Sequence, residues 1–162
     1  MQVTDESELY ALVGEVMVMS ARVESCLESC IAACLPHVNV DYSQTVLRRL
    51  KFTSQLATLH EVSQLLYDRH DPILVEFRRW LRRLGRIRRR RNDLVHNVLR
   101  VACSPEELGR WQSEIGHMRE ICDDAPAWVI VLELRVKALD GQVQVPAVPP
   151  IRAIENVEVS AR

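Results

Sequence analysis

The chain is poor in lysine, glycine and aromatic residues, and it contains no long apolar run. Its 162 residues hold nineteen arginines against two lysines, five glycines and 5% aromatic residues. No apolar run approaches the length of a bilayer span, so no membrane partner is expected. The first eight residues are acidic and polar rather than basic and then apolar, so an export signal is not expected either. We therefore predict a cytoplasmic protein.

Several familiar chemical motifs are also missing. There is no glycine-rich phosphate loop, no helical pair of metal-binding histidines and no nucleophile elbow. Five cysteines, an odd number in a chain without an export signal, argue against a disulfide scaffold. Cys26, Cys30 and Cys34 recur every fourth residue, but a helix would separate the first from the third by about 12 Å, too far to share one ion. We predict no metal and no cofactor, and we expect these cysteines to pack along a helix or a dimer seam.

Length and apolar spacing predict one all-α domain, a bundle of four to five helices over residues 1–140. A first helix is expected over 6–35, where it stops before Pro36, and a second over 43–66. Asp71 and Pro72 are suited to cap and begin a third helix that ends near Val101. A proline-containing extended tail is expected over 141–162.

The start of the fourth helix is clear, and its end is ambiguous. Ser104 and Glu107 have the spacing of a capping box, so a helix is expected to begin there. Pro126 is expected to kink or break it. Residues 128–139 fit either a fifth helix or the first strand of a hairpin that turns at Asp140-Gly141. We favour the helix, because the short partner strand would have no sheet to join.

Charge is concentrated in the third helix. Residues 72–100 hold ten arginines against Glu76 and Asp93, a balance of +8, so the remainder of the chain, whose total is −1, carries −9. Such a surface attracts polyanions. The arginine excess suits bidentate contacts with phosphate, and a GC-rich genome would produce the same excess.

One arginine of this run projects inward. At about 100° per residue, Arg91 falls within the apolar stripe of its helix, whereas Asn92 and His96 project at its margin. An unpaired buried guanidinium is costly, so Arg91 requires an acid such as Glu24, an anionic ligand or a cleft between subunits. Arginine binds phosphate oxygens, and histidine exchanges protons near neutral pH. We therefore predict chemistry on an RNA phosphodiester.

An arginine, an asparagine directly after it, and a histidine late in a long helix together resemble the signature of the HEPN superfamily. Arg91, Asn92 and His96 fill its three positions, and the apolar pair before the histidine also fits. The resemblance covers residues 5–125. In HEPN toxins paired with nucleotidyltransferase antitoxins, a tyrosine often stands two residues after the histidine; here that position is Val98, which departs from that subgroup.

The resemblance implies a HEPN-like bundle and a metal-independent endoribonuclease, used as a toxin or a defence effector. It implies a homodimer whose two motifs face one cleft, RNA as the substrate, and an antitoxin or defence protein as a possible partner. Arg91, Asn92 and His96 would be the catalytic residues. From the helix projection we add Arg82, Arg88 and Arg89 as RNA contacts. The alternative is a non-catalytic helical module that binds a partner protein or RNA, with Arg91 held in an internal ion pair.

Overall fold

The computed structural model describes residues 6–98 and 104–141, and over these residues it contains five helices and no strand. The prediction of an all-α chain with four or five helices is confirmed. Residues 142–162, where most of the predicted tail lies, are outside the described residues. Within the described residues no helix combines the length and the apolar character that crossing a bilayer requires. The helices are α1 (Glu6–Ala33), α2 (Val40–Leu47), α3 (Phe52–Leu66), α4 (Pro72–Val98) and α5 (Pro105–Leu139).

Two of the predicted helix starts are formed by the expected caps. The Asp71 carboxylate accepts a hydrogen bond from the backbone N–H of Ile73 at 2.8 Å, and Pro72 is the first residue of α4. At the start of α5, the Ser104 hydroxyl accepts from the N–H of Glu107 while the Glu107 carboxylate accepts from the N–H of Ser104. Each cap satisfies backbone donors that a helix start leaves without partners. The predicted end of the third helix near 101 lies outside the described residues.

The prediction of one second helix over 43–66 is wrong, because two helices, α2 and α3, occupy this region. Leu47 and Phe52 are both buried, yet a continuous helix would place them about 140° apart. Interrupting the helix between them allows both side chains to reach the core. The Gln55 side chain then donates to the Leu47 carbonyl at 2.8 Å, which satisfies an acceptor at the end of α2. Near the end of α3, Leu65 is 83% exposed.

Of the two effects expected of Pro126, a kink or a break, the break does not occur, because α5 continues through the proline to Leu139. Pro126 is exposed, so its ring faces solvent. The core-facing residues on both sides, including Ala125 and Trp128, are buried, so packing holds the helix on either side of the proline. The helical interpretation of 128–139 is confirmed over the hairpin. Gly141, with φ of 71°, follows the helix end in the left-handed conformation that glycine adopts without strain.

Helices α1 and α5 make the most extensive contact in the bundle, and two side-chain pairs indicate that they run in the same direction. Glu15 pairs with Arg119 in the first halves of the two helices, and His37 pairs with Asp140 at 3.0 Å beyond their ends. Pairs of side chains far apart in sequence therefore connect the first and last helices at both ends.

Helix α4 packs antiparallel to α5 through aromatic residues. The rings of Phe77 and Trp128 have centroids 4.8 Å apart, and Trp80 lies 5.7 Å from Phe77. The indole N–H of Trp80 donates to the Ile121 carbonyl at 3.3 Å, so this polar group is satisfied inside the core. The core therefore fixes which side of α4 is available for function.

Candidate nucleic-acid interface

The apolar side of α4 faces the core as predicted, and its arginines are distributed around the rest of the helix. Six residues of the predicted stripe are buried: Phe77, Trp80, Leu81, Leu84, Ile87 and Leu94. Val95 is half-buried. Because the core takes one side of the helix, the arginines can meet partners on two flanks, towards α5 and towards α3.

On the α5 flank, acids neutralise the arginines. Arg83 contacts Glu120 at 3.0 Å and Asp124 at 3.3 Å, and Arg90 pairs with Glu114. Desolvation raises the pKa of Asp124 above its usual value, although the adjacent Arg83 guanidinium lowers it. These arginines are accounted for by contacts within the chain, so they are not available to a polyanion.

On the α3 flank, α4 and α3 enclose an open groove of about 630 Å³. None of its arginines makes an ion pair with a carboxylate among residues 6–98 and 104–141. A second cavity of about 470 Å³ adjoins the first and shares His60 and Arg78 with it. We call these cavities together the α3–α4 groove. The charged and titratable residues of its larger part are Arg78, Arg82, Arg86, Arg89, His60 and Glu61.

A glycine lets the two helices approach closely at the floor of this groove. A Cβ added to Gly85 would lie 3.3 Å from Cδ2 of Leu56, tighter than ordinary van der Waals contact. About two turns before Gly85 on α4, the Nε of Arg78 is buried and has no hydrogen-bond partner within the described part of the chain. A buried donor without a partner is costly, and a bound acceptor would remove that cost. The α3–α4 groove thus carries positive charge and includes a residue, Arg78, with a buried hydrogen-bond donor that has no partner among the described residues.

The three motif residues are placed on different sides of α4. Arg91 is half-buried, and its Nε is buried with no partner among the described residues, whereas Asn92 and His96 are exposed. Glu24 is exposed too, and no ion pair joins it to Arg91 within those residues. On one helix Arg91 and His96 are separated by about 140° of rotation and about 7.5 Å of rise. The described cavities of a single chain therefore do not bring this pair together.

His96 does share a face with the α3–α4 groove. It follows Arg78 by eighteen residues, which is five complete helical turns. Asn92 follows Arg89 by three residues and falls close to the same line. The exposed imidazole thus stands on the continuation of the row of unpaired arginines.

The three arginines predicted to contact RNA lie in two different environments. Arg82 and Arg89 line the α3–α4 groove, whereas the Arg88 guanidinium lies over the Phe52 ring at 5.3 Å, with its Nη1 buried and unpartnered in the described residues. Arg86, which also lines the groove, is not among the RNA contacts predicted from the sequence. No local sequence pattern marks His60 of α3 as a groove residue, since only the packing of α3 against α4 brings it to the groove.

The four cysteines among the described residues lie in the core or pack against it. Cys30 is completely buried, and Cys26 and Cys34 pack against the core at its edge, as expected for small residues in a helix seam. Burial raises the pKa of both Cys34 and Cys122 to about 12, so these thiols stay protonated. Among the described residues there is no group of three metal-binding side chains.

A comparison of the chain with protein-family models, curated proteins and solved structures finds no match.

Proposed function

We propose that the chain is a metal-independent endoribonuclease of the HEPN type, which acts as a homodimer in a toxin or defence role. The observation that carries this proposal is the position of His96. Its side chain is exposed, and it lies on the same face of α4 as the unpaired arginines of the α3–α4 groove. Cleavage of an RNA phosphodiester needs such an acid-base group beside a surface that binds phosphates.

The proposed reaction is an attack by the RNA on its own backbone. His96 accepts the proton of a 2′-hydroxyl while the 2′-oxygen bonds to the adjacent phosphorus. The bond to the 5′-oxygen breaks, and that oxygen takes a proton from a second histidine. The products are a 2′,3′-cyclic phosphate and a 5′-hydroxyl. Arg91 stabilises the charge that develops on the non-bridging oxygens, and Asn92 orients the phosphate or the imidazole.

The homodimer is part of the proposal because one chain does not hold all of these groups together. Arg91 and His96 lie about 140° apart on α4. A second copy across a cleft would supply the second histidine, and it would allow a phosphate to meet an arginine and a histidine at once. The buried, unpartnered Nε of Arg91 is consistent with a guanidinium that gains an anionic partner in such a cleft.

The test is RNA cleavage in the presence of a chelator, with His96→Ala compared to wild type. We expect His96→Ala to abolish cleavage and to leave folding and RNA affinity nearly unchanged, because its side chain is exposed. His70→Ala is the matched control, since it removes another exposed imidazole, just before α4. Cleavage by His96→Ala at the wild-type rate would refute the assignment. DNA of the same sequence should survive, because it lacks the 2′-hydroxyl.

A non-catalytic binding module is the second candidate, and the separation of Arg91 from His96 on one helix favours it. Such a module would use the arginines of the α3–α4 groove to hold RNA or an acidic partner protein without cutting it. The same assay discriminates, because a module binds RNA and leaves it intact in the wild-type protein as well as in the variant.

A further inference from the structure

We infer that the α3–α4 groove binds the backbone of single-stranded RNA and leads the strand towards His96. RNA as the ligand rests on the proposed function, whereas the groove itself rests on its own geometry. This site extends beyond the motif, because it adds Arg78, Arg86 and His60 to the residues that contact RNA.

The spacing of the groove's arginines suits a polymer with repeated charges. Arg78, Arg82 and Arg89 recur at every fourth or seventh residue of α4, so they form one row about 16 Å long. Glu61 is the one acid among the described groove residues. A single small anion would use one or two of these arginines, whereas a nucleic-acid backbone offers a phosphate to each.

The distribution of ion pairs around α4 also supports the groove as the RNA-binding surface. Arg83 and Arg90 are neutralised by acids of α5, so among residues 6–98 and 104–141 the arginines without a carboxylate partner are concentrated on the α3 flank of α4. The buried Nε of Arg78 sits where the two cavities of the groove meet. The guanidinium of Arg78, which lines both cavities, can hold a phosphate oxygen in the groove with a charge-assisted hydrogen bond.

The groove favours a single strand over a duplex. Its lining includes the apolar side chains of Leu56 and Ala57, against which unstacked bases can pack. Helix α4 is flanked by α3 and faces the core, so it cannot enter the groove of a duplex as a free recognition helix does. A single strand can follow the row of arginines with its bases turned inward.

The row ends at the proposed catalytic group. His96 lies seven residues beyond Arg89, on nearly the same face and about 10 Å further along the helix axis. A strand held by the groove therefore reaches the exposed imidazole as it leaves the last groove arginine. The groove would set which phosphate arrives there.

The experiment measures binding of a fluorescein-labelled oligouridine by anisotropy over a series of salt concentrations. All proteins carry His96→Ala, so that the RNA stays intact. The test variant is Arg78→Gln/Arg86→Gln. The matched control is Arg79→Gln, a residue of the same helix whose guanidinium pairs with Glu76 at 2.7 Å. Arg78→Lys/Arg86→Lys retains both charges and serves as the rescue.

We expect the glutamine pair to weaken binding and to reduce the salt slope by about 1.4, since each lost phosphate contact removes about 0.7 for a single strand. The control and the lysine pair should keep the wild-type slope. If Arg78→Gln/Arg86→Gln is not folded by circular dichroism, Arg86→Gln/Arg89→Gln replaces it, because both of these arginines are exposed.

The outcomes test RNA binding by the groove and RNA cleavage by the protein separately. If the double glutamine variant keeps the salt slope of the His96→Ala parent, the inference that the groove binds RNA is wrong, even if the wild-type protein cuts RNA. A reduced slope supports the groove even if wild type does not cut RNA, in which case the proposed reaction fails alone. Tighter binding of a labelled duplex than of the oligouridine overturns the single-strand assignment. Binding of polyglutamate without binding of the oligouridine overturns the inference in favour of an acidic protein.

Discussion

Replacing Pro126 with alanine is expected to stabilise the protein. Pro126 lies inside α5, where its missing N–H leaves the Cys122 carbonyl without its helical donor. The ring is exposed, so the substitution removes no buried contact. Restoring one hydrogen bond contributes about 1 kcal/mol, and the full difference between proline and alanine in a helix interior is about 3 kcal/mol. The gain in the free energy of unfolding should lie between these two values.

Urea denaturation followed by circular dichroism measures this gain. For a chain of this length, each kcal/mol should also raise the melting temperature by about 2–4 °C. Gln112→Ala is the control, because Gln112 is exposed in the same helix and glutamine is nearly as good a helix former as alanine. If Pro126→Ala is no more stable than wild type, the reasoning that packing holds α5 together against a local cost is refuted.

Three further predictions concern stability. Gly116→Ala should raise the free energy of unfolding by about 1 kcal/mol, because the added Cβ would meet nothing within 4 Å. Gly85→Ala should raise it less, because the added Cβ would press on Leu56 of α3. Equal gains for the two variants in urea denaturation would contradict this reasoning. Ser104→Ala should cost about 1 kcal/mol in the same assay by removing the cap of α5, whereas the exposed Ser113→Ala should cost nothing. Burial raises the pKa of Tyr67 to about 12, so the folded state holds this proton more tightly than the unfolded chain, and stability should fall as pH rises from about 10 towards 12. Tyr67→Phe should lose less stability than wild type over this range in alkaline urea titrations, because the buried thiols of Cys34 and Cys122 keep their own contribution to the loss. A loss identical to that of wild type would contradict the role of Tyr67.

Local signals made most of the helices predictable from the sequence. Proline, a capping serine and an aspartate mark the starts of α4 and α5, and their effects act within a few residues. The break between α2 and α3 was not predictable in this way. It depends on Leu47 and Phe52 both reaching the same core, which is a property of the packed bundle. The continuation of α5 through Pro126 has the same origin.

Only the part of the candidate site that lies on α4 could be predicted from the sequence. Helical projection placed Arg82 and Arg89 on an outer face, where the structure also places them. It could not show that acids of α5 neutralise Arg83 and Arg90, since those acids lie far along the chain. Nor could it place His60 beside α4. Which charges remain free is decided by the neighbouring helices.

The pairing of α1 with α5 has a consequence for synthesis on the ribosome. Val16, Val23 and Leu27 of α1 are completely or almost completely buried in the finished core, but α5, which contacts α1 most extensively, is translated after the other four described helices. Until α5 emerges, the nascent chain leaves this apolar face largely uncovered, and chaperones bind such surfaces. Slow translation of residues 105–139 would therefore lengthen the period in which the chain is prone to aggregation.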